Sequence, residues 1–138
     1  MIVLDTNVLS ECLKPKPDAT VLAWMASKSR ATLFTTTVVE AELLYGVRLL
    51  PMGVRKDALR AAVKAIFDHD LLGRVIAFDR DCADAYADIA ATRRAMGKPF
   101  SQFDAMIAAA ACSRGAALAT RNWRDFSDCG IEVVDPWS

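Results

Sequence analysis

Histidine is almost absent from this 138-residue chain: His69 is the only one, which leaves little room for chemistry by a histidine base. It lies in Phe67-Asp-His-Asp70, near an expected helix end, and reads as a surface or capping residue. The four cysteines, Cys12, Cys82, Cys112 and Cys129, are far apart and form no Cys-x-x-Cys pair. Neither a zinc site nor a redox motif is indicated, and thiols in a reducing compartment are the simpler account. Charged residues break every apolar run before it reaches a membrane-spanning length. The start, Met1-Ile-Val-Leu-Asp5, lacks the basic and long apolar segments of a signal peptide, so a cytoplasmic protein without membrane contact is expected. Charge of one sign is not in excess, with 17 basic and 17 acidic residues. A polybasic nucleic-acid binder is therefore not indicated, and any such contact must be local. Arg93, Arg94 and Lys98, and further on Arg114, Arg121 and Arg124, are the local clusters available.

What is present is a hydrophobic fraction of 54%, spread through short runs that alternate with amphipathic stretches. The length suits one domain, 1-138. Strands are expected at residues 2–4, 33–36, 74–78, 116–120 and 131–134, with helices between them. That alternation predicts an α/β fold, a parallel β-sheet of four to five strands flanked by helices. Thr37 is the expected N-cap of a helix over 38–50, with Glu40 in capping-box position. Asp81 is the expected N-cap of a helix over 82–96, with Ala83, Tyr86, Ala87, Ile89 and Ala90 facing inward. A charged amphipathic helix is expected over 54–70, and Trp24 is read as core or interface.

Three acids stand out against this background. Asp5 ends the first strand, at the sheet edge where ligands gather in α/β proteins, although it also suits an N-cap. Glu42 shares a helix face with Val38, Val39, Tyr45 and Leu49. Asp104 sits in the apolar helix pattern that follows Ser101, where it also fits the third position of a capping box. An ionised carboxylate drawn out of water costs several kcal/mol unless paired, hydrogen-bonded or bound to a cation. One shared divalent cation would account for all three, and hard oxygen donors suit Mg²⁺ or Mn²⁺.

Four segments carry a resemblance. Val3-Leu-Asp-Thr-Asn-Val-Leu-Ser10, Val39-Glu-Ala-Glu-Leu-Leu-Tyr-Gly46, Ser101-Gln-Phe-Asp-Ala-Met-Ile-Ala-Ala109 and Ala119-Thr-Arg-Asn-Trp-Arg-Asp-Phe126 together resemble the PIN-domain ribonucleases. Within that family the chain is similar to the VapC and FitB toxins of bacterial type II toxin–antitoxin pairs. The resemblance implies a PIN-like fold and an endoribonuclease dependent on Mg²⁺ or Mn²⁺, with Asp5, Glu42 and Asp104 as catalytic and metal-binding residues. It also implies a homodimer, a small antitoxin that blocks the acidic pocket, and binding of promoter DNA only through the antitoxin complex. A fourth acid common in the family after a Thr-Arg pair is here Asn122, which offers a carbonyl but no charge. Asp125 is the nearest substitute, though it also suits a turn cap.

Lesser roles follow from position. Thr6 and Asn7 are placed to orient a carboxylate or water, and Arg121 and Arg124 to meet substrate phosphate. Arg93, Arg94 and Lys98 have the same charge but suit a solvated helix face. Trp123 is read either as a stacking platform for an unpaired base or as a packed side chain. The competing reading is a catalytically idle PIN subunit of a DNA-binding repressor complex, which Asn122 keeps open. A phosphatase with a strand-terminal aspartate nucleophile needs a second acid two positions on, where this chain has Asn7.

Overall fold

A computed structural model describes residues 1–138. Five short strands form one parallel sheet: β1 (Ile2–Leu4), β2 (Leu33–Thr36), β3 (Val75–Ile76), β4 (Ala117–Ala119) and β5 (Val133–Val134). Their order across the sheet is β3-β2-β1-β4-β5. Pairing runs Ile2 to Leu33 on one side of β1 and Ile2 to Ala117 on the other. The chain therefore lays down one half of the sheet, crosses back, and builds the other half from β1 outward. Between β1 and β4 the winding direction changes, and the carboxyl ends of these two strands flank a crevice of the kind where α/β sheets bind ligands.

The helices are α1 (Thr6–Cys12), α2 (Ala19–Ala26), α3 (Thr37–Arg48), α4 (Val54–Ala65), α5 (Arg80–Ala95) and α6 (Gln102–Ser113). Helix α6 is buried through Ala105 and Ile107–Ala111. A run of alanines lets its backbone approach its neighbours closely, at the best intrinsic helix propensity available. Both α5 and α6 end on a glycine with positive φ, Gly97 at 71° and Gly115 at 61°. In each case the next peptide reaches back to close the end, Lys98 N to Arg93 O and Ala116 N to Ala111 O. The first of these turns leads into α6 and the second into β4.

Several expected boundaries move. The N-cap of α3 is Thr36, not Thr37: Thr36 Oγ1 accepts from Val39 N at 3.1 Å. The hydroxyl of Thr37 instead accepts from Phe78 N, two residues past the end of β3. Glu40 thus lies one position beyond the capping-box site. Helix α5 starts two residues earlier than expected because Asp79, rather than Asp81, accepts from Cys82 N and also binds Arg114 Nη2 at 2.7 Å. Its inward face carries Cys82, Ile89 and Arg93, while Ala83 and Ala87 are exposed. The 54–70 helix widens into a π turn over Ile66–Asp70, which places exposed His69 at its end. Trp24 packs half-buried against the core. No helix is long and apolar enough to cross a membrane.

Candidate active site

The end of β1 places Asp5 at the floor of the crevice, 4% exposed. Its peptide N–H still belongs to the sheet, donating to Ala119 O at 3.0 Å, so the side chain is fixed by strand pairing. The same residue N-caps α1: Thr6 N donates to Oδ1 at 2.7 Å. Thr120, at the end of β4, donates its hydroxyl proton to Asp5 Oδ2 at 2.7 Å. That hydroxyl oxygen accepts in turn from Asn7 Nδ2 and Asn122 N, each at 3.1 Å, so its one proton and both lone pairs are used. Asn7 closes the ring by accepting from Arg121 N at 3.2 Å. The ends of β1 and β4 are thereby locked to one another through side chains.

Glu42 enters from the middle of α3, its Oε1 accepting from Thr6 Oγ1 at 2.8 Å. Its helix face is less apolar than expected, since Tyr45 and Leu49 are 65% and 66% exposed. The half-buried Glu42 borders an opening rather than a core. Asp104 comes from the first turn of α6, where Ser101 caps the helix by accepting from Asp104 N at 3.2 Å. Only half of the expected capping box forms: the Asp104 N–H completes the Ser101 cap, while its half-buried carboxylate lines the pocket instead of returning to Ser101 N. The pocket holds about 390 Å³ and is lined by Asp5, Glu42 and Asp104 together with Thr6, Asn122 and Arg121. None of the three acids forms a salt bridge.

Electrostatics bear the mark of that arrangement. The Asp5 carboxyl is pushed up from 3.8 to about 6, first by burial and further by the charges of Asp104 and Glu42, against the hydrogen bonds from Thr120 and Thr6. Negative charge is concentrated here, and neither of the two basic side chains on the pocket wall, Lys14 and Arg121, pairs directly with the three carboxylates. The donors are all oxygens, as Mg²⁺ and Mn²⁺ require. No three acidic, histidine or cysteine side chains converge tightly enough to grip an ion unaided. An ion held here would have to keep several of its waters and meet the protein through few carboxylates, as Mg²⁺ does.

The remaining expectations divide. Thr6, Asn7, Asn122 and Arg121 line the pocket. Asp125 and Arg124 do not: Asp125 sits in an exposed turn with its N–H on Asn122 O, and Arg124 lies over the half-exposed Trp123 ring at 5.0 Å. Arg93 is no phosphate contact, being 7% exposed, bonded to Lys98 O and Ser127 O, and stacked 3.9 Å from the Phe100 ring centre. Arg94 and Lys98 are exposed outside the pocket. Five lining or bonding residues escaped the sequence reading: Thr120, Ser10, Glu11, Lys14 and Trp137. Thr120 had a signal, since it ends a strand as Asp5 does. Trp137 had none, because only the final turn of the chain brings it beside Arg121, 5.2 Å from its ring centre.

A protein-family comparison matches the PIN domain model to residues 2–131. The chain belongs to the PIN-domain family. Its curated relatives include the plasmid stability protein StbB of Pseudomonas syringae pv. tomato, 40% identical over 99% of both chains. The VapC ribonuclease Y4jK of Sinorhizobium fredii is 38% identical over 99% of this chain and 98% of its own. Among solved structures, FitAB bound to an IR36 DNA fragment superposes with a TM-score of 0.93 at 34% identity, covering 100% of this chain and 96% of that one. Within the PIN family the chain groups with the VapC and FitB toxins.

Proposed function

We propose that this PIN domain is the toxin of a type II toxin–antitoxin pair and an endoribonuclease that hydrolyses RNA phosphodiesters at the pocket of Asp5, Glu42 and Asp104. The observation that carries the reading is that three carboxylates without salt-bridge partners, from three separate elements, line one pocket at the crevice where the winding of the sheet changes direction. The names of the VapC relatives, ribonuclease and tRNA(fMet)-specific endonuclease, support the activity. Asp5, Glu42 and Asp104 would hold Mg²⁺ or Mn²⁺, with Asn122 lending a neutral oxygen from the pocket wall. Bound there, such an ion supplies a water of lowered pKa and offsets charge on the phosphate.

The chain's own residues set the geometry. Thr120 and the Thr6 peptide hold Asp5 in one orientation, and Thr6 Oγ1 does the same for Glu42. Arg121 stands at the pocket wall with a guanidinium available to a non-reacting phosphate oxygen. With no histidine in the site, proton transfer falls to carboxylates and water.

The partner follows from a second feature. Next to the acidic pocket lies an open groove of about 910 Å³ between α1, α3 and α4, whose apolar lining includes Leu13, Leu43, Val47 and Leu59. It shares Thr6, Ser10, Lys14 and Glu42 with the acidic pocket. An antitoxin segment seated there would reach the catalytic acids directly. The FitAB complex on a DNA fragment and the DNA-bound VapBC complex of Salmonella typhimurium support an assembly of toxin, antitoxin and DNA. On this reading the DNA is the pair's own promoter and the toxin acts as a homodimer in the cytoplasm.

Cleavage of a mixed RNA pool tests the reading. The protein with Mg²⁺ or Mn²⁺ is expected to cut, and EDTA to stop it. Asp104→Asn, which keeps the fold and the Ser101 cap, is expected to lower the rate by about a thousandfold or more. Cutting that persists in EDTA or in the variant would refute it.

A further inference from the structure

Helix α1 does more than carry Thr6. Asn7, Ser10 and Glu11, at spacings of three and one, share one face of α1, Lys14 follows in the turn just past the helix end, and all four line the acidic pocket. The pocket is thus extended along α1, and Lys14, in the turn that follows the helix, marks its far end. This end has a built character. Glu11 is 6% exposed, and its two oxygens are both engaged, Oε1 by Lys14 Nζ at 3.0 Å and Oε2 by Asp18 N at 3.1 Å. Together these bonds hold its carboxyl below the usual glutamate range, so the anchor is ionised near neutral pH.

The Asp18 contact ties down the Lys14-Pro-Lys-Pro17 turn, in which two prolines already limit the backbone. Lys14 is therefore a cation held in place on a fixed turn, with its side chain still 57% exposed and free to meet a ligand. Lys14 and Arg121 are the only basic side chains lining a pocket that also carries Asp5, Glu11, Glu42 and Asp104. A polyanion entering such a pocket needs cations beyond the reacting centre.

Resting on the ribonuclease reading above, we propose that Lys14, braced by Glu11, is a substrate-binding residue for a neighbouring backbone phosphate of single-stranded RNA. It lies away from the phosphodiester being cut and fixes the path of the strand along α1. A point-charge contact of this kind carries no base preference. The effect of removing it falls on substrate binding and its salt dependence rather than on the chemical step.

Two measurements on the full chain test this. In steady-state cleavage, Lys14→Ala is expected to raise KM about five- to tenfold with kcat within twofold, and Lys14→Arg to restore most of the loss. In parallel, binding of a fluorescein-labelled single-stranded RNA pool to the Asp104→Asn protein is followed against salt. Adding Lys14→Ala is expected to lower the slope of log affinity against log salt by about 0.7, one phosphate's worth for a single strand. A destabilised but otherwise competent variant would not change that slope. If the wild type cuts RNA and Lys14→Ala leaves KM and slope alone, the inference is wrong and the nuclease stands. If Lys14→Ala impairs only inhibition by the antitoxin, Lys14 belongs to the protein-docking groove and the inference is also wrong. If the wild type neither cuts nor binds RNA, both readings fall.

Discussion

At the scale of single residues, Asp5 has conflicting duties. It caps α1, accepts from Thr120 and Thr6, and is buried beside two other acids. Its carboxyl titrates near 6 in the folded chain against 3.8 outside it, so the fold binds this proton more tightly. Stability from this group is therefore present at low pH and lost as pH rises from about 4 through 6. In metal-free protein, the stability of Asp5→Asn relative to the wild type should rise by about 2 kcal/mol between about pH 4 and pH 7, whatever the offset left at pH 4 by the altered hydrogen bonds to Thr120 and Thr6, as urea denaturation would show. A difference between variant and wild type that is the same at both pH values would refute this account. The acids were legible in the sequence because a carboxylate among apolar residues, or at a strand end, is anomalous. The polar residues that brace them were less visible, since a threonine at a strand end or a lysine after a short helix is ordinary in any sequence.

Between residues and the whole fold, the helix starts decide where the acids point. Thr36 sits 1% exposed at the junction of β2 and α3, and its hydroxyl is the cap that sets the first turn of the helix bearing Glu42. Thr36→Ala should cost about 1–2 kcal/mol, measured by thermal or denaturant unfolding. An effect near zero would show that the cap is not what fixes α3. Sequence alone could not choose between Thr36 and Thr37, because both are β-branched hydroxyl residues next to an apolar run. Tertiary contact settled it: the Thr37 hydroxyl was taken up by Phe78 N. The same ambiguity moved the start of α5 from Asp81 to Asp79, where the Arg114 guanidinium supplies a second partner. Helix α6 was read more accurately, because the Ser101 cap and the Gly115 stop bound an unbroken alanine-rich run.

For the molecule as a whole, the order β3-β2-β1-β4-β5 brings Asp5, Glu42 and Asp104 together although they lie far apart in sequence. Alternating strands and helices announced a parallel sheet, and four motifs announced its family. The pocket's extent along α1 and the closing turn that carries Trp137 depended on how chain segments meet, which periodicity does not encode. The central claim is that these three carboxylates form one divalent-cation site. Titration calorimetry with Mg²⁺ and Mn²⁺, on wild type and on Glu42→Gln and Asp104→Asn, tests it most directly. Saturable binding that weakens at least tenfold in each variant, with both variants still folded, is the predicted result. Binding unchanged in both variants would place the ion elsewhere and contradict the account.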